Sequence, residues 1–353
     1  MPARSSPTRN RLATLRRLCT AVAVSGDEGA VRKIVLDVLK STRPEVRVDP
    51  VGNLLVTRRG TSGRRLRVML DAHMDEVGFM LVADDGDGLY QFRLIGGIDV
   101  RNLPGKRVVV GPKSTPGVIG LKPIHLSKAD DLKRKVELET LRVDLGPAGK
   151  AKVGDRGTFA PDFRRVGPSI MSKALDNRLG VATLIEVFKS APRSVDLRAA
   201  FTVQEEIGLR GAGVAAHYFN PDVAIILDAT PAYDLPMQYE AENSAYNARL
   251  GLGPAIYVAD RAAIDDPRLV KFMTETATSA GIPFQVRQPG GGGTNAGAIQ
   301  RALRGVPVVT LSVPHRYSHT AMSVARIADW QNTILLLQTA LRRLTPQVLR
   351  RAT

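Results

Sequence analysis

The chain is poor in cysteine, in aromatic side chains and in acids. Its one cysteine, Cys19, excludes an intramolecular disulfide and fits a reducing compartment, which places the protein in the cytoplasm as an expectation. Aromatic residues make up only 5%, and no zinc-finger spacing, RNP-like box or stacking ladder accompanies them. No apolar run approaches the roughly 20 residues of a membrane-spanning helix, so no membrane partner is expected. There is no internal repeat, and no low-complexity segment beyond the glycine run 290–293. Acids are outnumbered, 34 Asp and Glu against 50 Lys and Arg, leaving a net charge of +16. The bases are scattered in short groups such as Arg64-Arg65, Arg164-Arg165 and Arg342-Arg343. That scatter predicts a solvated basic surface with weak affinity for polyanions and no specific nucleic acid partner.

What is present is a soluble globular composition, 44% hydrophobic over 353 residues, enough for one large domain and a smaller one. The first twenty residues are rich in arginine and lack acids, as in a transit peptide. The apolar piece at 18–24 is short and lacks a cleavage site, so the start reads as a basic first helix. Helices are expected at 12–22 and 28–39, the second capped by Ser25-Gly26-Asp27. A hairpin at 46–49 and 53–57 turns around Pro50-Val51-Gly52. A short buried strand, 67–70, then runs into Asp71-Ala72-His73.

After Glu76 the texture changes. Short strands at 77–82, 90–95, 106–110, 117–121, 141–145 and 155–159 are separated by Gly, Pro and Asp turns, the spacing of a small β-barrel. From Asp176 helices and strands alternate: helix 177–190, strand 197–203, helix 209–217 and strand 223–228. Helix 267–280, strand 284–287, helix 295–302, strand 306–312 and a long last helix from Val324 follow. Ile327, Trp330, Ile334, Leu337 and Leu341 give that last helix a buried stripe. The fold class is therefore α/β, a mixed central sheet with helices on both faces, interrupted by a small inserted β-barrel-like domain. The expected division is 1–76 and 162–353 for the discontinuous α/β domain, and 77–161 for the insertion.

The chain is organised around Val203-Gln204-Glu205-Glu206-Ile207-Gly208-Leu209-Arg210-Gly211-Ala212. A buried strand ends there on two adjacent glutamates, at the carboxyl end of a strand where ligands of open α/β sheets sit. Alone, such a pair reads as a solvated turn. Its company is what counts: Asp71-Ala72-His73-Met74-Asp75-Glu76, Ala174-Leu175-Asp176-Asn177-Arg178, Leu227-Asp228-Ala229-Thr230 and Arg316-Tyr317-Ser318-His319. Candidate ligands are His73, Asp176, Glu206, Asp228 and His319, with Glu205 and Asp75 beside two of them. Mixed imidazole and carboxylate donors suit zinc, cobalt or manganese. Five ligands are one too many for a single catalytic zinc with an open position, and fit two metals if one carboxylate bridges. Asp75 can reach the far imidazole nitrogen of His73 and fix its tautomer. His125, His217 and His315 read as structural or surface residues.

On these motifs, with Gly120-Leu121-Lys122-Pro123-Ile124-His125-Leu126, the chain resembles the tetrahedral (TET) or glutamyl/deblocking aminopeptidase family of di-metal peptidases nearly end to end. Some members carry the label endoglucanase, a name these residues do not support. The resemblance implies that Asp176 bridges two divalent metal ions per subunit, one completed by His73 and Asp228 and the other by Glu206 and His319. It implies Glu205 as general base, acting on a water between the metals, and a cis peptide at Asp176-Asn177. It also implies dimer contacts through the inserted domain and assembly into a dodecamer. Two departures concern specificity: Asn295 where the family usually has Asp, which removes a charge expected near the substrate end of the site, and His315 where a small hydroxyl residue is common.

The function expected is a metallo-aminopeptidase that hydrolyses the amino-terminal residue from peptides, with zinc, cobalt or manganese. The surface charge should raise the local concentration of acidic peptides and so favour glutamyl or aspartyl ends. The glycines 290–293 should let backbone approach the substrate; no Lys-Ser/Thr follows them, so they are no phosphate loop. Competing readings are another two-metal hydrolase, a deacylase or carboxypeptidase, and a basic nucleic-acid-binding or scaffold protein with a vestigial site. Against the last stand six competent residues at the metal and base positions.

Overall fold

The computed structural model describes residues 7–61, 65–235 and 248–351; the first six residues and Arg64 lie outside that range. In chain order it begins with α1 (Pro7–Thr20), α2 (Gly29–Leu39), β1 (Glu45–Val48), β2 (Leu54–Arg58) and β3 (Arg67–His73). Next come β4 (Gly78–Gly86), β5 (Leu89–Ile95), β6 (Arg107–Val110), β7 (Thr115–Gly120), α3 (Ala129–Lys133), β8 (Arg142–Asp144) and β9 (Arg156–Phe159). The chain continues through β10 (Phe163–Val166), β11 (Ser169–Ser172), α4 (Leu175–Ser190), β12 (Asp196–Thr202), α5 (Arg210–Phe219) and β13 (Val223–Pro231). It closes with β14 (Ala255–Tyr257), α6 (Pro267–Ser279), β15 (Gln285–Arg287), α7 (Ala296–Gln300), β16 (Val308–Arg316), β17 (Ser323–Arg326) and α8 (Ile327–Arg343).

One mixed sheet carries the order β1-β2-β12-β3-β13-β16-β17-β11-β10, with β14 and β15 branching from β16. Its centre, β12-β3-β13-β16, is parallel, as the helical connections require. These strands are mostly apolar because both faces are covered, with Asp71, Arg198, Thr310 and Ser312 among the exceptions. Val68 and Leu70 of β3, with Val223, Ile225 and Leu227 of β13, point into a core that also buries residues of α1, α2, α4, α6 and α8. Met69, Ala224 and Ile226, the alternate positions, point into a smaller core shared with α5 and α7. The stripe expected on α8 is buried at every position from Ile327 to Leu341 that the sequence singles out.

Strands β4 to β9 close into a separate antiparallel barrel, order β4-β5-β8-β7-β6-β9. It encloses its own core, with Phe79, Phe92, Val108, Ile119 and Phe159 inside. The barrel strands run from Gly78 to Phe159, directly after β3, as the change of texture in the sequence implies.

Three local expectations are corrected. The last helix begins at Ile327, because Ser323–Arg326 is a strand paired with both β11 and β16. The hairpin β10-β11 stands where the sequence leads one to expect no strand. Ser25-Gly26-Asp27 does not cap α2, whose first residue follows Glu28 with no side-chain cap bond. Ser25 instead donates its hydroxyl to Asp75 Oδ2 at 2.6 Å.

Candidate active site

Parallel strands of one sheet end side by side, so β3, β12, β13 and β16 deliver their last residues to one region. His73 closes β3 directly opposite Thr202, the last residue of β12. Glu205 and Glu206 follow in the turn before α5, where Gln204 takes a positive φ of 57°. Asp228 lies in β13 opposite Ser312 of β16. His319 follows β16, itself at φ 57°. Asp176 comes from the first turn of α4, where the chain is not helical at Asp176 and Asn177 and their peptide bond is cis, as the resemblance implies. Asn177 is anchored on both sides: its amide donates to Leu227 O at 2.8 Å and its oxygen accepts Gly180 N–H at 3.0 Å.

The result is a carboxylate with an imidazole at each oxygen. His73 Nε2 is 3.3 Å from Asp176 Oδ1 and 3.6 Å from Asp228 Oδ1. His319 Nε2 is 3.7 Å from Asp176 Oδ2 and 3.3 Å from Glu206 Oε2. Each imidazole turns its other nitrogen to a main-chain carbonyl, His73 Nδ1 to Asp75 O at 3.2 Å and His319 Nδ1 to Gly97 O at 2.7 Å. A carbonyl only accepts, so each Nδ1 carries a proton, and Nε2 is the nitrogen turned to the carboxylates. The Asp75 carboxylate is also near His73 Nδ1, at 3.4 Å. Its main partners are elsewhere: Oδ1 accepts Glu205 N–H at 3.0 Å, and Oδ2 accepts Glu206 N–H at 3.1 Å together with Ser25.

The charge balance asks for cations. Burial first, then Asp176 and Asp75, push Glu206 up to about 8 against the pull of both histidines. Glu205 is held well above the usual carboxylate range by burial, reinforced by Glu206, Asp228 and Asp75. Burial and Asp176 also raise Asp228. Asp176 goes the other way, since hydrogen bonds from His319 and His73 outweigh its burial. Those same contacts overcome burial to raise His319 to about 10, and with Glu205 they raise His73. Carboxylates packed this tightly raise one another's pKa unless positive charge is brought among them. Two groups are disposed to hold it, His73 with Asp176 and Asp228, and Asp176 with Glu206 and His319, their ligand atoms lying within 4.8 Å of one another in each. The five residues marked out in the sequence are thus brought together, with Asp176 common to both groups, and Glu205 belongs to neither. Oxygen and imidazole donors in this mixture suit a divalent transition ion.

These residues line an open cavity of about 560 Å³. Its wall also includes Tyr257, Arg261, Arg287 and Gly291 to Gly293, none of which but the glycines stands out in the sequence. Gly292 has φ +81°, a conformation that favours glycine. Arg287 is buried to 2% exposure with its guanidinium 4.2 Å over the Tyr257 ring, and its Nε has no partner. Among the described residues neither Arg261 nor Arg287 forms an ion pair. Ser318, inside the Arg316–His319 motif, donates to Asp176 Oδ2 at 3.4 Å.

One of the two departures has a structural explanation. Asn295 is buried, directly after Thr294 of the cavity wall. Its amide donates to Asp71 Oδ2 at 2.7 Å and Thr202 Oγ1 at 2.9 Å. Burial pushes Asp71 up to about 7, against the Asn295 bond. An aspartate at 295 would set a second carboxylate against Asp71, whereas asparagine brings a donor. His315 is fully buried in β16, where burial lowers its pKa, and nothing in the structure explains why a histidine stands there. His125 and His217 are exposed, as surface residues should be.

Residues 52–336 match the family described as M42 glutamyl aminopeptidase. The lysyl aminopeptidase of Pyrococcus furiosus is 32% identical over 346 residues, covering 94% of this chain and 97% of that one. The structure of aminopeptidase APDkam598 from the archaeon Desulfurococcus kamchatkensis superposes with a TM-score of 0.90 at 32% identity, covering 97% of each chain. That of Pyrococcus horikoshii TET1 peptidase, described as assembling into a tetrahedron or a large octahedral shell, gives 0.80 at 30% identity over 93% and 98%. With the sheet, the inserted barrel and the residues at the strand ends all in place, the chain belongs to the M42 glutamyl aminopeptidase family and is a peptidase.

Proposed function

We propose that the protein is a metal-dependent aminopeptidase that holds two divalent ions and releases the amino-terminal residue of peptides. The observation that carries this reading is the Asp176 carboxylate, whose two oxygens face His73 and His319 separately, with Asp228 and Glu206 completing the two groups. His73, Asp176 and Asp228 would hold one ion, and Asp176, Glu206 and His319 the other. Zinc is the proposed occupant, with cobalt or manganese able to replace it. When bound, such a pair supplies Lewis acidity and a water acidic enough to ionise near neutral pH.

The chain's own residues do the rest. Glu205 lines the cavity outside both ligand groups, and is the carboxylate free to take a proton and return it to the leaving amine nitrogen. Asp75 fixes where that carboxylate stands, by accepting the main-chain N–H groups of Glu205 and Glu206. Arg261 and Arg287 give the cavity wall a positive charge that suits an acidic first side chain.

The proposed particle is a homo-oligomer built from dimers, up to a dodecamer, with subunit contacts through the inserted domain 77–161. Leu121, Ile124 and Leu126 support this, being large apolar residues exposed on the segment that leaves β7. A cytoplasmic site of action fits the single free cysteine, Cys19. Among the described residues no helix is long and apolar enough to cross a membrane.

The test is removal and return of metal. Chelator-treated protein should lose cleavage of free amino-terminal peptides and recover it with zinc, cobalt or manganese. Amino-terminally acetylated peptides should resist throughout. Cleavage of acetylated peptides, or full activity without metal, would overturn the reading.

A further inference from the structure

Two residues of the signature motifs have no part in the chemistry above: Glu76, which follows Asp75, and Arg178, which lies two residues after Asp176. Both are buried, with Lys173, at 2% exposure or less. Lys173 Nζ donates to Glu76 Oε1 at 2.7 Å and Oε2 at 2.6 Å, and Arg178 Nη2 donates to Oε1 at 3.1 Å. Two cations thus share one anion inside the protein. The second positive charge is met by main-chain carbonyls: Ala21 O accepts from Lys173, and Leu18 O and Met74 O accept from Arg178.

Burying three charges is costly in desolvation, and an apolar trio of the same volume would fill the space more cheaply. What an apolar trio cannot do is hold a carbonyl. Met74 stands between His73 and Asp75, and its peptide groups are pinned on both sides. Its N–H donates to Thr202 O at 2.7 Å, at the end of β12, and its C=O accepts from Arg178 Nη1. One guanidinium therefore ties the turn bearing His73 and Asp75 to the helix whose first turn bears Asp176. Its planar fork reaches acceptors in three directions, which a lysine ammonium at that position would not match. Glu76 extends the tie to the barrel, since its Oε2 accepts the Thr158 hydroxyl of β9 at 3.1 Å.

We propose that Arg178, acting through Met74 O and Glu76, is a positioning residue that sets the spacing of His73 and Asp176 for metal. This rests on the two-metal reading above. The experiment uses full-length protein, parent beside Arg178→Met and Arg178→Lys. For each, thermal unfolding and particle size are recorded. Cobalt(II) is then titrated calorimetrically into the chelator-treated chain, and kcat and KM are measured. Loss of an outer-shell partner typically weakens metal affinity or activity by about 10–100-fold. Arg178→Met should fold and bind cobalt that much more weakly, with kcat reduced and KM within about twofold. Arg178→Lys should lie between it and the parent. If Arg178→Met does not fold, Arg178→Lys decides by the same affinity measurement. Folded variants that bind cobalt within about twofold of the parent overturn the proposal, as does a chain that folds with neither substitution, which makes the residue structural. A parent that binds no cobalt would refute the two-metal reading itself.

Discussion

The Asp75 carboxylate accepts the main-chain N–H of Glu205 at 3.0 Å, so an acid from the end of β3 fixes the turn that follows β12. With Glu206 N–H and the Ser25 hydroxyl, that carboxylate has three donors from two distant segments. Asp75→Asn keeps the shape but replaces one acceptor oxygen with a donor group that would face an N–H. It should cut kcat by about 10–100-fold, the usual cost of an outer-shell partner. Steady-state kinetics with metal analysis checks this, the expectation being near-parental metal content. Ser25→Ala, which removes one of the three donors, should cost far less.

The cavity wall should choose the first side chain by charge. Arg287 is buried without an ion pair among the described residues, and Arg261 is exposed on the same wall. Glutamyl and aspartyl p-nitroanilides should be cleaved with higher kcat/KM than lysyl ones. Hydrogen bonds to charged groups contribute about 1.5–3 kcal/mol, so Arg261→Glu should lower the glutamyl value by roughly 10–100-fold and raise the lysyl one. The preference should survive high salt, which screens the basic surface more than the cavity. A lysyl or leucyl preference at both low and high salt would remove any role for charge.

Most of this architecture is legible in the sequence because the strands that matter are largely apolar and carry charged residues at or near their carboxyl ends. β3, β12 and β13 each do so, which is why His73, Glu205, Glu206 and Asp228 stand out before any fold is known. The barrel strands are legible through their turns. What is not legible is carried by short or charged segments. Phe163–Val166 holds two arginines in four residues, and Ala255–Tyr257 is only three residues long. Val324 fits the helical stripe of α8 but pairs with Met171 of β11. Contacts distant in sequence are hidden for a different reason. Glu28 Oε1 accepts Gln204 N–H at 3.2 Å across 176 positions, and no local pattern announces it. Asn295 is legible only as a departure from its motif; the packing of β3 and β12 shows that it serves Asp71.

The central claim is that adjacent glutamates do different work, Glu205 moving a proton and Glu206 holding metal. Metal content per subunit measured beside kcat in Glu205→Gln and Glu206→Gln tests it most directly. Glu205→Gln keeps the size and removes the proton acceptor, so kcat should fall by about 10²–10⁴-fold or more with metal near the parental level. Glu206→Gln replaces an anionic ligand by a weak neutral one, so it should lose one metal preferentially and regain part of its activity when metal is supplied in excess. A metal-depleted Glu205→Gln beside a metal-replete, inactive Glu206→Gln would reverse the two roles, and two active variants with unchanged metal would contradict both.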